Sequence, residues 1–255
     1  MAQVSIREKL HISTIDARAR ELALQYGVGI EVAEFCWAQY LDEGYEEHLR
    51  AAKDTVRGMG SLWFHAPFAE LSPCAIDPKV LKLTRERYLS SVRTARALGI
   101  NRLVIHSGYI PNVYFPEYFT ERSIEFWRGF MSELPEDFLI VLENVMDTEP
   151  DGLIEIADSV GDRRLGICLD AGHANCVSPA APAEWARRMG GRIRHVHIHN
   201  NHGERDTHNS LFDGSIPMEE FLGIVTENCP EATFTIENMD AEPSLVWLAE
   251  KGYLL

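Results

Sequence analysis

Between Leu62 and Glu237, six short apolar runs each end on a side chain able to hold a divalent metal. They read LWFH (62–65), RLVIH (102–106), IVLE (140–143), GICLD (166–170), HVH (195–197) and FTIE (234–237). Strand side chains alternate faces with a period of two, so most of these terminal residues share a face with Trp63, Val104, Val141, Cys168 or Thr235. Burial gives a hydrophobic strand no reason to end six times on His, Asp or Glu. In an open doubly wound sheet, chemistry gathers at one switch point served by a few strands. Only a closed ring of parallel neighbours brings six strand ends to one rim.

The rest of the chain fits that ring. Its 255 residues match one (β/α)8 unit. KLHIS and GIEVAEF read as two further strands ahead of the six. Helices are predicted over residues 14–26, in EEHLRAAKDTVRGM, from Asp77-Pro78 to Leu98-Gly99, and over 121–133, 151–159, 183–189, 217–228 and 243–251. No G-x-G-x-x-G follows the first strand, and no G-x-x-x-x-G-K-[ST] occurs. The expected fold class is α/β, a single (β/α)8 TIM barrel over residues 1–255, with a metal site at the C-terminal rim of the strands.

Charge narrows the partners. Lys plus Arg number 24 against 39 Asp plus Glu, a net −15 at pH 7. Nucleic-acid binders present a basic face, because neutralising phosphates supplies most non-specific affinity. Nucleic acid is therefore an unfavoured partner. The N-terminus lacks the apolar stretch of a secretory signal, and no run approaches the roughly 20 apolar residues of a membrane helix. Five cysteines form no C-x-x-C pair, which suits reduced thiols. The expectation is a cytoplasmic protein with no membrane partner, and assembly into a homo-oligomer stays open.

Glu143, Asp170, His197 and Glu237 end or closely approach the ends of strands five to eight. They make an oxygen-rich set suited to Mn²⁺, Mg²⁺, Co²⁺ or Zn²⁺. The competing reading has these acids capping helices or pairing with Arg163 or Arg194. His195, His197 and His199 alternate and face one way; His195 lies deepest and reads as a core histidine, while His199 lies beyond the strand and reads as a substrate contact. His65 and His106 add softer ligands that favour zinc. Asp206 and His208 would grip one ion if their segment is extended. Arg205, the one basic residue in this motif, is a candidate anion-binding group. Trp37, Tyr40, Tyr109, Tyr114 and Phe212 fall on or near rim loops. No lysine ends a strand, which disfavours Schiff-base chemistry.

HAPF (65–68), LVIHSG (103–108), LENV (142–145), CLDAGHA (168–174), HIHNNHGERDTH (197–208) and IEN (236–238) together make the chain resemble the xylose isomerase-like TIM-barrel superfamily. That superfamily joins sugar isomerases and epimerases to endonuclease IV-type AP endonucleases. On the epimerase side the resemblance implies one metal on Glu143, Asp170, His197 and Glu237. The two glutamates would also move protons, and His173 would help hold substrate. On the nuclease side it implies three zincs: one on His65, His106 and Glu143, a second on Glu143, Asp170, His197 and Glu237, a third on His173, Asp206 and His208. The cofactor is thus a divalent metal, zinc or manganese, in one to three copies.

The loops favour the first side. The segment after strand two, EFCWAQYLDEGYEEH, carries Asp42, Glu43, Glu46 and Glu47 but no Lys or Arg, and an acidic lip repels a phosphate backbone. After His65, Ala66-Pro67-Phe68-Ala69 keeps one aromatic, Phe68, placed to contact substrate. The expected activity is a metal-dependent isomerase or epimerase acting on a small sugar or sugar phosphate through an enediolate. The alternative is a zinc-dependent phosphodiesterase, and a metal-stabilised scaffold is a third class.

Overall fold

In the computed structural model, which describes residues 4–255, eight parallel strands close into a barrel in sequence order. The strands are β1 (Leu10–Ser13), β2 (Gly29–Val32), β3 (Leu62–His65), β4 (Arg102–His106), β5 (Leu139–Glu143), β6 (Leu165–Asp170), β7 (Ile193–Ile198) and β8 (Thr233–Ile236). The helices are α1 (Ala19–Tyr26), α2 (Tyr45–Val56), α3 (Pro78–Ala97), α4 (Pro116–Met131), α5 (Asp151–Val160), α6 (Ala171–Val177), α7 (Pro182–Met189), α8 (Met218–Asn228) and α9 (Glu242–Glu250). Register sets His106 beside Glu143 and Asp170 beside His197, so the strand ends gather at one rim.

Local chemistry explains most boundaries. At the start of α3, Asp77 accepts from Lys79 N at 2.7 Å with Pro78 in the first turn, and Gly99 follows its end at φ 76°. Two helices begin away from the expected residue. α1 starts at Ala19 rather than residue 14, because Asp16 accepts from Arg18 N (2.7 Å) and Ala241 N (2.8 Å), holding a turn there. α4 starts at Pro116 rather than residue 121, as the fixed φ of proline suits a first helical position. The short α6 was not expected. It springs directly from β6, capped by Asp170, whose Oδ1 accepts from His173 N at 2.6 Å.

Two apolar cores result. The larger lies between the sheet and the helices; the smaller, inside the barrel, consists of Trp63, Val104, Val141 and Cys168. These are four of the residues that alternation assigned to the inward face. The other half of the barrel interior is polar: His11, Glu31, His195 and Thr235 are all buried there.

Asp147 is buried on the loop after β5, with both of its side-chain hydrogen bonds on one oxygen. Oδ2 accepts from Ser107 Oγ (2.7 Å) and Val145 N (3.1 Å). Burial pushes its carboxyl up from 3.8 to about 6 in spite of those bonds. Between these values the folded protein keeps a proton that the unfolded chain releases, so stability falls as pH rises through that window. Asp147→Asn retains an acceptor and removes the charge. We expect the variant to be more stable than wild type at neutral pH by roughly 2–3 kcal/mol, at 1.36 kcal/mol per pKa unit, and to gain nothing near pH 4. Urea unfolding at the two pH values checks this; a variant less stable at neutral pH would contradict it.

Candidate metal centre

Glu143 is the hub of the rim. Its carboxylate lies 3.3 Å from His65 Nε2, 3.4 Å from His106 Nε2, 3.2 Å from His173 Nδ1 and 3.5 Å from His197 Nδ1. Around His197 Nδ1 stand three carboxylates in all: Glu237 at 3.4 Å, Glu143, and Asp170 at 3.7 Å. No lysine or arginine forms an ion pair with Glu143, Asp170 or Glu237 among the described residues. Pairing with Arg163 or Arg194 is therefore not why these acids are here, although Asp170 does cap α6 as well.

Backbone carbonyls fix several of the imidazoles. Nδ1 of His65 donates to Ala66 O (2.9 Å), that of His173 to Asn144 O (2.9 Å), and that of His208 to Glu237 O (2.6 Å). Each ring thereby turns Nε2 toward a carboxylate: His65 toward Glu143, and His173 (3.2 Å) and His208 (2.8 Å) both toward Asp206. Such hydrogen bonds set the tautomer of metal-binding histidines and raise their basicity.

The donor atoms form compact groups suited to ions. His65, His106 and Glu143 make one, Glu143, Asp170 and His197 a second, and His173, Asp206 and His208 a third, each within 4.8 Å. Glu237 joins through His197 and groups with Glu31, His65 and His197 rather than with Asp170. Two ligands about 2.1 Å from a tetrahedral zinc lie about 3.4 Å apart, which matches most of these separations better than ordinary hydrogen bonds do. Glu143 Oε1 and His197 Nδ1 are buried without a hydrogen bond, a state that a shared cation would relieve. These residues fit a divalent metal.

Electrostatics show the same strain toward a cation. Burial alone would raise Glu143, but His106 and His197 hold its carboxyl well below the usual range. Glu237, by contrast, is raised, first by burial and then by Glu143 and Glu31, against the pull of His197. Burial lowers His208, yet Asp206 and Glu237 lift it to about 9, and burial drives His106 down to about 3.

Other expected residues fall in varied places. Phe68 stacks on His106 at 4.3 Å between centroids and lines the cavity over the centre. Arg205 is exposed and outside that lining. His199 is fully buried rather than open to substrate: its Nε2 lies 3.1 Å from both Asp170 oxygens, its ring stacks on His208 at 4.0 Å, and a Cβ on Gly172 would come within 1.9 Å of it. A substrate contact by His199 is thus corrected to support of Asp170. The segment of Asp206 and His208 is not simply extended, since His208 takes φ 49°, yet the two side chains do meet. His195 is a core histidine as expected, stacked on Trp63 at 4.1 Å.

Glu31 was missed. It is fully buried on β2, 2.9 Å from His195 Nε2 and 3.1 Å from His197 Nε2. The signal was a lone acid in the apolar run GIEV (29–32). Above these groups a cavity of about 580 Å³ is lined by His65, Phe68, His106, Glu143, His173, Asp206, His208 and Glu237 on one side, and by Ile15, Ala33, Cys36, Trp37 and Met239 on another. Among the described residues, no lysine or arginine lines it.

Comparisons place this geometry among known proteins. An uncharacterized protein of Methanocaldococcus jannaschii, MJ1311, is 34% identical over 197 residues, 68% of this chain and 63% of that protein, so the chain spans less than two thirds of this relative. A probable endonuclease 4 of Mycobacterium leprae is 24% identical over 190 residues, covering 69% of this chain and 73% of its own length. A crystal structure of a D-tagatose 3-epimerase-like protein superposes with TM-score 0.78 at 25% identity, over 96% of this chain and 97% of the other. The model of the xylose isomerase-like TIM barrel matches residues 21–251, and the chain belongs to that family.

Proposed function

We propose that the protein is a divalent-metal-dependent isomerase or epimerase of a small sugar or sugar phosphate. The observation that carries this reading is the pairing of Glu143 and Glu237, which reach His197 Nδ1 from β5 and from just beyond β8, in a cavity lined by no lysine or arginine among the described residues. One carboxylate takes the proton from the carbon beside the carbonyl, whose electron pair moves onto oxygen to give an enediolate. The other carboxylate returns a proton, at the neighbouring carbon or on the opposite face. A bound divalent ion supplies polarisation of the carbonyl and adjacent hydroxyl. His173 and Phe68 hold the sugar, and the apolar wall around Trp37 excludes water. Five free cysteines support a reducing, cytoplasmic setting, and no described helix is long and apolar enough to cross a membrane.

One observation favours a second reading. His173, Asp206 and His208 form a third ligand group that a one-ion epimerase does not require. With His65, His106 and Glu143 they suit a three-ion phosphodiesterase, in line with the resemblance to a probable endonuclease 4. Against it stand the acidic loop after β2 and the absence of Lys and Arg from the cavity wall.

The deciding experiment incubates metal-loaded protein in D₂O with a panel of ketoses and aldoses, free and phosphorylated, and follows deuterium by NMR. We expect exchange at the carbon beside the carbonyl of at least one sugar, together with isomerised product. Cleavage of abasic DNA with no exchange on any sugar would replace this reading with the second.

A further inference from the structure

We propose that Glu31 is a positioning residue for the metal centre, acting through His197 to present Nδ1 as the ligand atom. The inference requires that the rim bind a divalent ion and holds for either reaction.

A carboxylate inside a barrel is costly unless its oxygens are satisfied by donors. Glu31 has three around it. Thr235 Oγ1 donates to Oε2 at 2.7 Å, and His195 Nε2 (2.9 Å) and His197 Nε2 (3.3 Å) bond the same oxygen, while Oε1 makes no hydrogen bond and lies 3.1 Å from His197 Nε2. Each comes from β7 or β8, across the barrel interior from β2. An ionised carboxylate only accepts hydrogen bonds, so the proton of a neutral His197 ring sits on Nε2. Nδ1 is then left with its lone pair aimed between Glu143, Asp170 and Glu237.

The surroundings lock this arrangement. His195 is itself held by Thr233 Oγ1, 2.6 Å from Nδ1, and by the stacked face of Trp63. Arg102 also lies over the Trp63 ring, its guanidinium carbon 5.1 Å from the ring centroid. Among the described residues neither Lys nor Arg is bonded to Glu31, so the histidine pair is its counterpart. Carboxylate–histidine pairs of this kind orient a metal-binding imidazole, and their loss typically weakens metal binding 10–100-fold. Glutamine at this position would offer an N–H to His197 Nε2 and favour the proton on Nδ1, where it blocks the ligand lone pair.

Two measurements test the role. In wild-type protein labelled with ¹⁵N-histidine and loaded with ¹¹³Cd²⁺, we expect cadmium coupling to His197 Nδ1 and a slowly exchanging proton on its Nε2. For metal-stripped protein titrated with Zn²⁺ against a chelator, we expect Glu31→Gln to weaken affinity about 10–100-fold. Its metal-free melting temperature should stay near that of wild type. Cadmium coupling to His197 Nε2, or wild-type zinc affinity in a folded Glu31→Gln protein, would overturn the role. If the glutamine variant does not fold, the cadmium spectrum of the wild type decides alone. Failure of wild-type protein to bind either ion would overturn the centre and this role together.

Discussion

Glu143→Gln lowers turnover by about a thousandfold while the protein stays folded. The expectation follows from the position of this carboxylate, which approaches His65, His106, His173 and His197 at once and is shared by two of the candidate ligand groups. Replacing it with an amide removes an acid/base worth about 10²–10⁴-fold and also weakens whichever ion it holds. The change keeps the size of the side chain, and β5 is secured by its ladders to β4 and β6, so far-UV circular dichroism should match wild type. The assay is the sugar exchange reaction or abasic-DNA cleavage, whichever wild type performs. Near-normal activity in a folded variant would remove the site assignment for both readings.

The second large effect separates those readings. Asp206→Asn combined with His208→Ala dismantles the outermost ligand group, in which Asp206 Oδ2 lies 3.2 Å from His173 and 2.8 Å from His208. In a one-ion epimerase built on Glu143, Asp170, His197 and Glu237, the double variant keeps one tightly bound metal and measurable turnover, with substrate binding weakened. In a three-ion phosphodiesterase it loses an ion that carries transition-state charge. Several kcal/mol of such stabilisation corresponds to a fall of about 100–1,000-fold. Elemental analysis together with both assays distinguishes the outcomes. We expect the first; wild-type cleavage of abasic DNA that vanishes in the variant, alongside loss of one metal per chain, would establish the second.

The ring and most of the candidate ligand residues at its rim were legible in the chain because a strand's period of two reports the face of every side chain from local sequence alone. His65, His106, Glu143 and Asp170 end their strands as the runs imply, and Trp63, Val104, Val141 and Cys168 pack together inside. Helix starts were less legible, since Asp16 and Pro116 act through single hydrogen-bonding and dihedral choices that periodicity does not register.

Depth and direction across the ring were decided only in three dimensions. His199 continues the alternation of His195 and His197, yet the chain turns after Ile198 and buries it behind Asp170, a close approach that the missing Cβ of Gly172 permits. Glu31 sits 164 residues from His195 and 166 from His197. Its neighbours in sequence show an acid facing inward on β2, but barrel closure through the β1–β8 ladder brings β7 and β8 within hydrogen-bonding reach of it. Alternation fixes which way a residue faces; the register and closure of the whole sheet fix what it meets there.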